Sequence, residues 1–213
     1  MSGKNEALDA RAWQTLSVLL GYPDEELYGN LPLLHRAAAT LPAPVAGPLA
    51  RFLAFLGAGT PEQIAQQYVA TFDHKRRGCL YLTYYTHGDT RKRGVALLRL
   101  KQQYAAAGLR LAQDELPDHL CVALEFAAAR PEAGRRLLTE YRAGVELLRL
   151  ALADAGSPWR DLLDALSATL PALTGDQRAA AARLAAQGPP DEQVGLEPFA
   201  PPQYMPESVG GRR

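Results

Sequence analysis

Only one stretch of the chain, Leu80-Tyr81-Leu82-Thr83-Tyr84-Tyr85, has the make-up of a β-strand, and no second such stretch is available to pair with it. Aromatic and β-branched residues favour strands, but an isolated strand is not stable in water. Cys79 to Tyr85 therefore reads as an irregular or partly helical, largely buried connection, and the fold around it as helical. Alanine and leucine dominate elsewhere, and both lose little side-chain entropy on entering a helix.

The helical periodicity can be followed along the chain. Leu8, Trp13, Leu16, Leu19 and Leu20 give a first amphipathic helix, stopped by Gly21-Tyr22-Pro23. Asp24-Glu25-Glu26 begins a short helical turn, and Leu33 to Leu41 forms a second. Pro42, Pro44, Gly47 and Pro48 interrupt the pattern before Leu49, Phe52, Leu53 and Leu56 resume it. Thr60-Pro61-Glu62-Gln63 is a capping box with proline at the first helical position. Asp89 or Thr90 caps a helix that presents Leu97, Leu100 and Tyr104 on one face and closes at a left-handed Gly108. Pro117 starts the next helix and Pro131 another, whose Leu138, Tyr141, Val145, Leu148 and Leu152 make a packing seam. Gly156-Ser157-Pro158 separates it from a helix carrying Trp159, Leu162, Leu163, Leu166 and Leu170. Thr174 with Gln177 caps a last, Ala-rich helix. The expectation is an all-α bundle of roughly eight to ten helices in a single domain over 1–187. From Gly188 on, six prolines and four glycines in 26 residues predict a disordered tail, 188–213.

The 23 basic and 23 acidic side chains cancel, which disfavours general nucleic-acid binding. Cys79 and Cys121 sit in apolar or aromatic surroundings and read as buried free thiols of a reducing compartment. Met1 to Ala10 has no apolar run and is not a signal peptide. No window approaches the ~20 apolar residues of a membrane helix. A cytoplasmic protein without membrane insertion is expected.

Catalysis is not. His35, His74, His87 and His119 form no i, i+4 pair, and there is no Cys-x-x-Cys, Walker or Rossmann pattern. A stably bound metal or cofactor is not expected either. Two basic clusters, Lys75-Arg76-Arg77 and Arg91-Lys92-Arg93, read as solvated surface or as an anion contact beside Asp89-Thr90. Three cations in a first turn oppose the helix dipole, so Arg91 and Arg93 serve something other than helix stability. Of Asp114, Glu115, Asp118 and Glu125, either Glu115 and Asp118 simply favour the helix N-terminus near Pro117, or all four edge an apolar face that takes a basic amphipathic peptide. Tyr68, Phe72, Tyr81, Tyr84, Tyr85 and Tyr104 read equally as core or as a groove, since tyrosine is apolar in body and polar at its tip.

Two ordered motifs go further. One is Tyr81-Leu82-Thr83-Tyr84-Tyr85, a polar pair, then Gly88-Asp89-Thr90-Arg91-Lys92-Arg93-Gly94. The other is Glu115-Leu116-Pro117-Asp118-His119-Leu120 with Leu124-Glu125-Phe126 behind it. Together they resemble the NarJ family of nitrate reductase assembly chaperones, within the wider TorD/DmsD group, over about residues 10 to 130. The resemblance implies a TorD-like helical fold and no activity of its own. It implies binding of the N-terminal tail of the apo catalytic (alpha) subunit of nitrate reductase. That subunit is kept competent for molybdenum cofactor and iron–sulfur insertion before it docks at the membrane, with cofactor-delivery proteins as further candidate partners. Carried over, Tyr68, Phe72, Tyr81, Tyr84, Tyr104, Glu115, Asp118, His119 and Glu125 become peptide-binding candidates. Asp89, Arg91 and Arg93 become a structural turn or anion contact. The alternative within the same fold is proofreading of a twin-arginine-exported molybdoenzyme of the TMAO or DMSO reductase type. A helical nucleic-acid-binding regulator is the more remote alternative.

Overall fold

A computed structural model describes residues 2–73, 78–88, 90–112 and 115–187. The predicted tail, His74 to Arg77, Asp89 and Asp114 lie outside the described residues. The described residues form eleven helices and no strand. They are α1 (Ser2–Leu20), α2 (Glu25–Ala39), α3 (Ala43–Ala58), α4 (Pro61–Phe72), α5 (Leu82–His87), α6 (Arg91–Ala106), α7 (Leu120–Ala129), α8 (Pro131–Glu140), α9 (Arg142–Asp154), α10 (Arg160–Thr169) and α11 (Gly175–Gln187).

The core forms where the apolar stripes of α1, α3, α7 and α10 meet. Trp13, Leu16, Leu19 and Leu20 of α1 and Leu120, Ala123, Leu124 and Ala127 of α7 are fully buried. Full burial of a leucine-sized side chain contributes roughly 1.5–3 kcal/mol, so this one pairing carries much of the fold. The indole N–H of Trp13 donates to Thr169 at 2.9 Å and ties α1 to α10. Trp159 collects Phe52, Phe55, Tyr68 and Phe72 around its ring at 5.5–5.8 Å.

Local chemistry sets most boundaries as expected. Thr60 and Gln63 cap each other reciprocally at the start of α4, and Thr174 and Gln177 do the same ahead of α11. Gly108 (φ 78°) and Gly156 (φ 62°) end α6 and α9 in the left-handed region. In both, the next residue's N–H reaches back to the last turn, Leu109 to Tyr104 and Ser157 to Leu152, each at 2.9 Å.

Several boundaries differ from the sequence reading. The two short helical turns expected over 24–41 are one helix, α2, with Pro32 on its exposed side. Two of the prolines expected to interrupt 42–48 instead start α3, because Pro42 and Pro44 occupy positions whose N–H groups have no helical partner anyway, and the helix runs on through Pro48. The helix expected from Pro131 is two, α8 and α9, broken at Tyr141, although every residue of the predicted seam is buried. The helix expected from Pro117 begins only at Leu120. Thr90 is the N-cap residue of α6, but its hydroxyl donates back to the His87 carbonyl. Neither Cys79 nor Cys121 is in a disulfide, and both are half-buried rather than fully buried.

Candidate functional site

Both motifs meet at one backbone contact. Tyr81 and His119 form an antiparallel bridge: the Leu82 N–H donates to the Asp118 carbonyl at 2.9 Å, and the Leu120 N–H to the Leu80 carbonyl at 2.8 Å. The strand-like tyrosine segment therefore finds a partner for one residue only and then turns into α5, with Leu82 to Tyr85 buried. Tyr104 fixes the same place from α6, its hydroxyl donating to the Pro117 carbonyl at 2.7 Å. These bonds hold Pro117 to His119 out of helical geometry, which is why α7 starts late.

Beneath the bridge lies a buried polar cluster. The Asp118 side chain is 0% exposed, accepts a hydrogen bond from the Thr83 hydroxyl and pairs with Arg93 at 3.4 Å. The Arg93 guanidinium also lies 5.3 Å from the centre of the Tyr81 ring, whose other neighbour is the His119 ring at 5.3 Å. Arg93 is thus an internal counter-charge, which accounts for a cation placed against its helix dipole. Arg91 stands exposed in the same first turn.

Above the bridge is an open groove of about 450 Å³. Tyr22 and Tyr68 wall one side, in edge-to-face contact at 5.5 Å. Tyr81, Leu116 and His119 form the rim of the bridge, and Cys121, Val122 and Glu125 of α7 line the groove from below. Tyr68 donates its hydroxyl to the Leu20 carbonyl at 3.1 Å, so its ring is fixed. A second hollow of about 230 Å³ lies against α7, bounded by Tyr104, Leu109, Leu111 and Phe126, with Arg110 at its lip. Both hollows include Glu115, Val122 and Glu125.

The electrostatics of the groove are acidic. Among the described residues neither Glu115 nor Glu125 has an ion-pair partner. Partial enclosure, and then the charge of Glu115, raise the pKa of Glu125 above the ordinary 4.5, while a bond from the Ser17 hydroxyl works against the shift. Burial lowers the pKa of His119 below 6.5 against the opposing pull of Asp118 and Glu115, so its imidazole is neutral at pH 7. Burial pushes the Cys121 thiol up to about 12, leaving it an apolar wall and not a nucleophile. No group of three or more His, Cys, Asp or Glu side chains among the described residues could hold a metal ion.

The residues expected at a peptide site thus fall into three places. Tyr68, Tyr81, Glu115, His119 and Glu125 line the groove, and Tyr104 lines the second hollow. Phe72 and Tyr84 are interior, Phe72 against Tyr68 and Trp159, and Tyr84 against Tyr85 at 6.1 Å. Asp118 lies under the groove floor and offers no carboxylate to a ligand. Tyr22, Leu116, Val122, Leu109 and Leu111 belong to the site without having been singled out. Exposure of Tyr22 (53%) and Leu116 (41%) is the signal that marks them, and it is absent from sequence.

Comparisons with known proteins agree with this architecture. Residues 38–165 match the family model described as nitrate reductase delta subunit. Over 160 residues the chain is 36% identical to the probable nitrate reductase molybdenum cofactor assembly chaperone NarJ of Bacillus subtilis, covering 74% of this chain and 87% of that protein. It is 38% identical over 121 residues to the nitrate reductase molybdenum cofactor assembly chaperone NarJ of Escherichia coli K12, covering 55% of this chain and 51% of that protein. It is also 42% identical over 158 residues to the nitrate reductase-like protein NarX of Mycobacterium tuberculosis, but spans only 24% of that longer chain. Among solved structures, a protein described as a redox enzyme maturation protein from Archaeoglobus fulgidus superposes with a TM-score of 0.54 over 82% of this chain and 93% of its own. At 21% identity that likeness speaks for the fold alone.

Proposed function

We propose a function from one premise: the chain belongs to the nitrate reductase delta subunit family. It acts as a NarJ-type assembly chaperone for the molybdenum cofactor of nitrate reductase, and its client is the catalytic subunit. It carries out no reaction of its own. The N-terminal tail of the apo subunit lies as an amphipathic helix in the groove above the Tyr81–His119 bridge. There the client stays open to molybdenum cofactor and iron–sulfur insertion, and it docks at the membrane only after release.

One observation carries this reading: an open groove with aromatic walls and two carboxylates that have no ion-pair partner among the described residues. Such a surface favours a helix with an apolar face and a basic edge. Ordering a free tail costs roughly 2–5 kcal/mol of the gross interaction energy, which keeps the contact reversible. A chaperone that hands on its client needs that reversibility. Among the described residues no helix is long and apolar enough to cross a membrane, in keeping with action before docking.

The test uses the client itself. The chain and the apo catalytic subunit are expected to co-elute on gel filtration, and a subunit lacking about its first 20 residues, some 30 Å of helix, is expected to elute alone. Co-elution of the truncated subunit with undiminished affinity would contradict the assignment. Complex formation with a twin-arginine-exported reductase in place of the nitrate reductase subunit would transfer the role to that client.

A further inference from the structure

The groove and the second hollow share Glu115, Val122 and Glu125, so these side chains form a ridge between two apolar depressions. Cys121, Val122, Glu125, Phe126 and Ala129 recur along one side of α7, spanning about 12 Å at ~1.5 Å per residue. A ligand helix laid along this side covers the same distance in two turns. Its residues i and i+7 then fall one in each hollow, with i+4 over the ridge. We propose that the two hollows are one bipartite site for a helical segment carrying an arginine between two apolar anchors, its guanidinium seated on Glu115 and Glu125. This deepens the chaperone reading above and rests on it.

Arginine is favoured over lysine by the geometry of the ridge. Burial, and then the charge of Glu115, raise the pKa of Glu125, so a cation shared by the two carboxylates relieves part of that cost. A planar guanidinium has five donors and can bond both carboxylates at once, whereas an ammonium is a compact point charge. Arg110, exposed at the lip of the second hollow, disfavours a further cation beyond the second anchor. The site thus selects a single arginine framed by apolar residues over a generally basic tail.

The probe is a designed helical peptide of about 18 residues with Leu at i and i+7 and Arg at i+4, titrated calorimetrically into the full chain. Replacing its Arg by Lys is expected to weaken binding about tenfold, and moving the Arg to the opposite face at least as much. Glu115→Gln with Glu125→Gln is expected to erase that preference while leaving the circular dichroism unchanged, since both residues are exposed. Leu111→Ser is expected to weaken the full peptide but not a shortened one that keeps only the first anchor. Equal binding of the Arg and Lys peptides, or indifference to Leu111→Ser, overturns the bipartite site. If the nitrate reductase tail still binds in that case, only this inference falls. If neither the tail nor the panel binds, the chaperone reading of the groove falls with it.

Discussion

Asp118 and Glu125 come from the same motif and meet opposite environments. Asp118 is enclosed by Thr83 and Arg93, and Glu125 opens into the groove. Removing one member of a buried pair leaves the other charge uncompensated, at about 3–5 kcal/mol. Arg93→Ala is therefore expected to lower stability to urea by about that amount, and adding Asp118→Asn is expected to restore part of it. A double variant less stable than Arg93→Ala alone would show that the pair is not what matters. Client affinity carries its own pH signature. A bound cation draws the raised pKa of Glu125 back down, so affinity rises with pH through that raised value and levels off above it. His119, neutral until below its ordinary 6.5, adds a repelling charge only at lower pH, so its effect has the same sign. Affinity should be higher at neutral than at mildly acidic pH, and Glu125→Gln should flatten most of that slope. A flat wild-type profile would count against the acidic ridge. Which carboxylate faces inward was not legible in the chain, because a helix starting at Pro117 would expose Asp118. The Tyr81–His119 bridge reverses that side chain's environment.

At the level of elements, the groove depends on how closely α7 and α8 approach. A Cβ placed on Gly134 would lie 2.1 Å from the Ala127 Cα and 2.4 Å from its Cβ. Gly134→Ala is expected to push α8 off α7, cost about 1–3 kcal/mol and weaken client binding through displacement of Val122 and Glu125. Unchanged thermal stability would show that the α7–α8 crossing yields to a methyl group without cost. Thr60→Ala removes one half of the α4 capping box and should cost about 1 kcal/mol without touching affinity, because the cap lies at the end of α4 away from the groove residue Tyr68. Caps and left-handed glycines were legible in sequence because each is decided by three or four adjacent residues. The break at Tyr141 was not, since the apolar seam runs straight through it. It coincides with α9 packing on α5, where a Cβ placed on Gly144 would lie 3.3 Å from the Tyr85 ring.

For the whole molecule, the all-helical class followed from a single unpaired strand-like segment, which no tertiary detail could overturn. The candidate site was legible in its motif residues and in the tyrosines Tyr68 and Tyr104. Its walls come from the turn after α1, from α4 and from the segment before α7, and nothing local brings Tyr22 to Glu125. In the proposed complex this groove, through Glu115 and Glu125, holds the client's N-terminal tail. Calorimetric titration of a peptide of about 20 residues from the start of the host's nitrate reductase catalytic subunit tests it most directly, with wild type beside Glu115→Lys/Glu125→Lys. Micromolar or tighter binding to wild type is expected, with at least about a hundredfold loss in the charge-reversed variant, some 2.7 kcal/mol. Equal binding to both proteins, with both folded, would contradict it.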